Sequence, residues 1–183
     1  MRRLVLHVAE KPSIANTVTN FLKHGESKKE RSSSQYNPIF IFSRKFMTDE
    51  QAVNKVTSVT GHITELEFDA MYKDWNKHDP SILISSAKIY KTYSSDKSGI
   101  VENLRRLSRE ATDLVLWLDC DREGENIAYE VIGVCSQENP RLVLHRARFS
   151  AATKADIERA FNNLKKPEKG LSEVGRKLSG SRG

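Results

Sequence analysis

The residues with the greatest chemical potential lie in one short block, Asp119-Cys120-Asp121-Arg122-Glu123-Gly124-Glu125. The block follows the apolar run Leu114–Leu118 directly and precedes a helical pattern. Strand side chains repeat every two residues, so in extended backbone Asp119 and Asp121 point the same way. Glu123 enters the turn beside them. Three such carboxylates within five residues repel one another unless a cation or protons intervene. Oxygen-only ligands, with water completing the shell, suit Mg²⁺. Mg²⁺ bound this way stabilises attacking or leaving oxygens of a phosphodiester. Helix capping is the plainer account: an aspartate caps, and Glu123 and Glu125 favour the helix dipole. Capping explains the glutamates but not two aspartates at a strand edge.

A second feature, Glu10-Lys11-Pro12, ends the first apolar run. In a parallel sheet this edge can lie next to the one carrying Asp119. Glu10 would then complete a metal site or exchange a proton with a leaving oxygen. Lys11 would hold a phosphate as a point charge. Alone, Glu-Lys-Pro is a common strand-to-helix turn. Among the remaining polar candidates, His62 follows Gly61 at a strand end, where it either approaches phosphate or settles into a turn hydrogen bond. Arg146 and Arg148 are expected to emerge on one side of a short strand or its exit, to meet a polyanion or to pair with the acidic centre. Arg122 either neutralises its acidic neighbours or faces the same polyanion. Cys120 has no His or Cys partner at catalytic spacing and reads as buried filler.

Strands and helices must position these groups. Arg3–Ala9 is a short apolar run and predicts a buried strand. Pro12 suits a first helical position, and Ile14, Val18, Phe21 and Leu22 recur at helical spacing as far as about Lys23. Glu26–Asn37 reads as an exposed loop. Pro38–Ser43 and Lys55–Thr60 read as neighbouring strands, and Ala70–His78 as a loop with a short helix. Helices are expected over Lys97–Ala111, Gly124–Val134 and Thr153–Leu164, and strands over Leu114–Leu118 and Leu142–Leu144. Strands alternating with helices imply an α/β domain with a mostly parallel sheet. In such sheets ligands collect outside the carboxyl ends of the strands.

The 183 residues suit one domain, residues 1–169, with a Gly/Ser-rich tail over 170–183. A content of 38% hydrophobic and 30% charged residues excludes global disorder. Residues 1–45 hold nine Lys/Arg against three Asp/Glu, and residues 154–183 hold eight against four. The middle, 46–153, holds thirteen against seventeen, so basic ends flank an acidic centre within a net charge of +6. The balance suits a polyanionic partner or a slightly basic surface equally well. The longest apolar run, Leu114–Leu118, is far short of the ~20 residues a membrane helix needs, so no membrane partner is expected. Met1–Ala9 lacks the apolar region of a signal peptide. Two cysteines build no disulfide scaffold, which points to a reducing compartment.

Four segments together carry a resemblance. Val8-Ala-Glu-Lys-Pro-Ser13, Val56-Thr-Ser-Val-Thr-Gly-His62, Leu116-Trp-Leu-Asp-Cys-Asp-Arg-Glu-Gly-Glu-Asn-Ile127 and Arg146-Ala-Arg-Phe-Ser150 resemble, in order and spacing, the amino-terminal TOPRIM domain of eukaryotic topoisomerase III, a type IA DNA topoisomerase. The likeness covers roughly residues 3–165. It implies a compact Rossmann-like, mostly parallel sheet with helices on both faces. It puts the family's catalytic glutamate at Glu10, its lysine at Lys11, and its Mg²⁺-binding acids at Asp119, Asp121 and Glu123, with Glu10 beside them.

The implied activity is ATP-independent cleavage and religation of single-stranded DNA, in which a tyrosine from another domain forms a 5′-phosphotyrosine. Tyr36, Tyr72, Tyr90, Tyr93 and Tyr129 lie in no segment resembling that tyrosine's site, and over Gly175–Gly183 the likeness stops. The chain alone is therefore expected not to cleave and rejoin DNA. The resemblance further implies a nuclear role in DNA repair and recombination, with a RecQ-type helicase and an OB-fold protein as partners. It also places DNA contacts on Lys11, His62, Arg122, Arg146 and Arg148. A TOPRIM nuclease or primase shares the acids, but the Arg-Ala-Arg-Phe-Ser and Val-Thr-Gly-His segments favour the topoisomerase branch. A non-catalytic DNA- or partner-binding module is the reading from a different class.

Overall fold

The structure, a computed structural model, describes residues 2–68 and 89–167. Its centre is a six-stranded sheet in the order β2-β3-β4-β1-β7-β8. These strands are β1 (Leu4–Ala9), β2 (Lys28–Glu30), β3 (Ile39–Ser43), β4 (Val53–Ser58), β7 (Asp113–Trp117) and β8 (Val143–Arg146). The pairs β1–β4, β1–β7 and β7–β8 are parallel, and β3 and β2 add antiparallel strands at one edge. A separate antiparallel ribbon pairs β5 (Thr64–Phe68) with β6 (Ile89–Tyr93). The helices are α1 (Pro12–Leu22), α2 (Ser98–Glu110), α3 (Arg122–Glu138) and α4 (Lys154–Asn162).

The period of two along the central strands divides the core. Leu6 and Val8 of β1 join Leu114 and Leu116 of β7 beneath α2 and α3. Val5, Ala9, Val115 and Trp117 face the other way, toward α1 and α4. Both faces of the sheet are covered, which is why β7 reads as an unbroken apolar run rather than an alternating one. The mostly parallel sheet with helices on both faces is the expected α/β architecture. A polar relay ties its three middle strands together within this core. Trp117 Nε1 donates to His7 Nδ1 at 3.0 Å, and His7 Nε2 lies 2.9 Å from Asn54 Oδ1. Burial lowers the His7 pKa to about 4, so the ring is neutral. Accepting at Nδ1, it carries its proton on Nε2 and donates to Asn54.

Several boundaries differ from the sequence expectation for identifiable reasons. Within the expected loop 26–37, Lys28–Glu30 forms an edge strand against Phe40 and its neighbours. It is held by Glu30, which pairs with Lys55 at 2.8 Å and with Arg106. Helix α3 begins earlier and ends later than Gly124–Val134, because Asp121 caps it and its last turn is polar. Strand β8 extends through His145 and Arg146, both buried despite their polarity. The segment 70–78 and the tail 170–183 lie outside the described residues. No helix among the described residues is long and apolar enough to cross a membrane.

Candidate active site

Parallel pairing of β1 with β7, in the register Ala9↔Trp117, brings their carboxyl ends side by side. One strand exits into Glu10-Lys11 and the other into Asp119–Glu123. The junction is hydrogen-bonded in both directions: Glu10 N donates to Trp117 O at 3.1 Å, and Asp119 N donates to Glu10 Oε2 at 3.0 Å. The Glu10 carboxylate thus grips the acidic turn itself. Asp119, Asp121, Arg122, Glu123 and Lys11 are exposed around this point, and so is Cys120, which the sequence reading buries. Lys11 flanks the first turn of α1, with its carbonyl accepting from Ile14 N and Ala15 N.

The turn is tight. Asp121 Oδ1 accepts from Gly124 N at 2.7 Å and caps α3. Capping is therefore the work of Asp121, and Asp119 is left to be explained otherwise. A Cβ on Gly124 would stand 2.1 Å from the Asp119 carbonyl oxygen, so only glycine lets the helix start close against the turn. The glycine of the other motif has a different reason. Gly61 has φ +71°, the left-handed region that turns the chain after β4 toward His62.

Behind the turn lies Arg146, whose side chain is 1% exposed. Its Nη1 donates to Leu118 O at 2.7 Å, and its Nη2 donates to Asp119 O at 2.8 Å and to Glu125 Oε1 at 2.9 Å. Of the two expectations for Arg146, the structure shows the pairing with the acidic block, made from within by donors engaged inside the protein. Arg148, unlike Arg146, is exposed. His62 is likewise engaged. Its Nδ1 lies 3.1 Å from Glu130 Oε1, while the ring remains 43% exposed.

Glu130 carries no signal in the sequence beyond a helical pattern, and Glu125 reads there only as favouring the helix dipole, yet both organise the site's surroundings. The Glu130 side chain, 3% exposed, accepts from Ile63 N at 2.9 Å, Thr64 Oγ1 at 2.6 Å and Lys91 Nζ at 3.0 Å. Burial alone would raise its pKa. The bonds from Thr64, Ile63, Lys91 and His62 outweigh burial and hold it below the ordinary carboxylate value. The carboxylate thereby fastens the β5–β6 ribbon to α3.

The donor set around the turn is all oxygen, suited to a hard cation. Among the described residues no three His, Cys, Asp or Glu side chains are gathered into a group that could hold a metal ion. A cation at the turn would rest on one or two carboxylates, completed by water and a substrate phosphate, as Mg²⁺ commonly does.

An acidic turn at the carboxyl edge of a doubly covered, mostly parallel sheet, gripped by a glutamate from the neighbouring strand, defines a Rossmann-like α/β domain with its candidate site at the sheet edge. The family model of the Toprim domain matches residues 5–151, and the chain belongs to that family. It is 42% identical over 170 residues to DNA topoisomerase 3-alpha of Arabidopsis thaliana, covering 93% of this chain and 18% of that protein. To DNA topoisomerase 3 of Dictyostelium discoideum it is 40% identical, over 91% of this chain and 20% of the relative. DNA topoisomerase 3-alpha of Homo sapiens is 34% identical, over 94% and 17%. The chain thus spans about a fifth of the length of these relatives.

Proposed function

We propose that this domain supplies the acidic half of the active site of a type IA DNA topoisomerase of the topoisomerase III kind, acting on single-stranded DNA. The observation that carries the reading is the contact between Glu10 and the Asp119 amide. It joins the two sequence motifs into one site at the sheet edge. Mg²⁺, held by Asp119, Asp121 and Glu123 with Glu10 alongside, would supply positive charge for the phosphodiester. Glu10 holds or releases the proton of the 3′ oxygen at strand cleavage and religation. Lys11 sets a positive charge against the phosphate, and Arg122 and Arg148 extend that charge along the strand. The attacking tyrosine belongs to another domain. A nuclear role in repair and recombination, with a RecQ-type helicase and an OB-fold protein as partners, is part of the same proposal.

The test is a chimaera in which residues 2–167 replace the matching segment of the Arabidopsis relative. Relaxation of negatively supercoiled plasmid with Mg²⁺, abolished by Glu10→Ala, is the expected result. A folded chimaera that binds single-stranded DNA but never relaxes plasmid would leave this domain as a non-catalytic binding module.

A further inference from the structure

We infer that Arg146 is a positioning residue: a buried cation that sets the shape of the acidic turn from its inner side. The inference rests on the reading of that turn as the metal- and phosphate-handling site. It starts from backbone accounting. Strand β7 ends at Trp117, so the carbonyls of Leu118 and Asp119 lie beyond it. Buried carbonyls need donors from somewhere. Arg146 supplies them, with Nη1 on Leu118 O and Nη2 on Asp119 O.

The arginine is itself held firmly. Its backbone N donates to Lys165 O at 2.7 Å, Lys165 N donates back to Arg146 O at 3.0 Å, and the next residue, Ala147, donates to Leu116 O at 3.0 Å. A fixed backbone and a planar fork of donors make a rigid template. The third partner, Glu125, lies in the first turn of α3, so one side chain connects the strand exit, the turn and the helix. A lysine would carry all its donors on a single nitrogen, whereas here Nη1 and Nη2 each serve a different carbonyl. The buried charge of Arg146 also offsets the repulsion among the clustered acids.

Three amides report the order of the turn: Asp119 N on Glu10, Gly124 N on the Asp121 side chain, and Glu125 N on the Asp121 carbonyl at 3.1 Å. Hydrogen exchange at these amides is measured in the full chain and in Arg146→Lys, together with Mn²⁺ affinity by water-proton relaxation. In Arg146→Lys the three amides should exchange about tenfold faster, the factor expected from losing one hydrogen bond to a charged donor. Ladder amides such as Val143 should stay near their wild-type rates, and Mn²⁺ should bind several-fold more weakly. An even rise across β7, β8 and α3 with Mn²⁺ affinity unchanged, or no rise at the turn, overturns the inference.

If Arg146→Lys does not fold, Glu125→Gln decides the question. It leaves the arginine in place but weakens one of its anchors, so a smaller rise confined to the same amides is expected. Unchanged exchange there overturns the inference. If the wild-type chain binds no Mn²⁺, the metal reading of the turn fails, and the amide pattern alone decides the role of Arg146.

Discussion

Glu130→Ala should separate the ribbon from the domain. The substitution keeps a good helix former, so its cost is not one of helix propensity. It removes the acceptor for Ile63 N, a backbone donor on a fully buried residue, and for the Thr64 hydroxyl. A buried donor left unsatisfied costs about 1–3 kcal/mol, and an ordinary hydrogen bond adds about 1 kcal/mol. Lys91 and His62 are 51% and 43% exposed, so their ion pairs are screened and add little. The total is about 3 kcal/mol, which in a domain of this size lowers Tm by roughly 6–12 °C. The pH dependence has a definite sign. The folded-state pKa of Glu130 lies below its ordinary 4.5, so its contribution is fully present above 4.5 and is lost as pH falls through the folded value. The stability gap between wild type and variant should therefore be constant at neutral pH and narrow in acid. Chemical or thermal unfolding from neutral pH down to acid, with hydrogen exchange at Ile63 as local probe, measures both. An unchanged Tm with Ile63 as protected as before would refute the ledger and the anchoring role together.

Gly124→Ala should lower stability by about 2 kcal/mol and disturb metal binding. The added Cβ meets backbone atoms of Asp119 that cannot swing aside, and a thermal melt with and without Mg²⁺ checks this. Asp119→Asn and Asp121→Asn should leave the metal-free melting point unchanged or higher, since asparagine caps as well as aspartate. Their Mg²⁺-induced stabilisation should shrink, by about 1.4 kcal/mol for each tenfold loss of affinity, which paired melts read directly. The isolated 183-residue chain should not relax supercoiled plasmid, and agarose gels after incubation with Mg²⁺ decide this. Its binding to single-stranded DNA should be weak and fall steeply with salt in fluorescence anisotropy, because the contacts are to phosphate.

What could be read in advance was whatever expresses itself as a local pattern. Leu114–Leu118 and Arg3–Ala9 are apolar runs bounded by charge, and their buried, parallel neighbours are where such runs belong. The acidic block could be placed at a strand exit because the apolar run, the turn and a helical period follow one another without a gap. The edge strand Lys28–Glu30 gave no such sign. Its sequence is wholly charged, and it is a strand only because Glu30 finds Lys55 and Arg106, residues distant along the chain. The apolar pattern of β8 stops at Leu144, and the polar His145 and Arg146 that continue the strand give no sign of it. Both are buried because each has a partner supplied by the fold, Asp113 for one and the acidic turn for the other.

The same logic explains why the site's visible and invisible parts differ in kind. Glu10, Asp119, Asp121 and Glu123 stand at the surface, where charge costs little and its purpose shows in the motif. Arg146 and Glu130 are buried charges, and a buried charge is tolerated only where several partners meet it with good geometry. Each therefore acts at a junction. Arg146 joins β8 to the acidic turn and the first turn of α3, and Glu130 joins α3 to the ribbon. Two of the carboxylates on α3, Glu125 and Glu130, are five residues apart, about 7.5 Å along the helix axis. The ribbon and the acidic turn are thus both fastened to the same helix, within its first three turns.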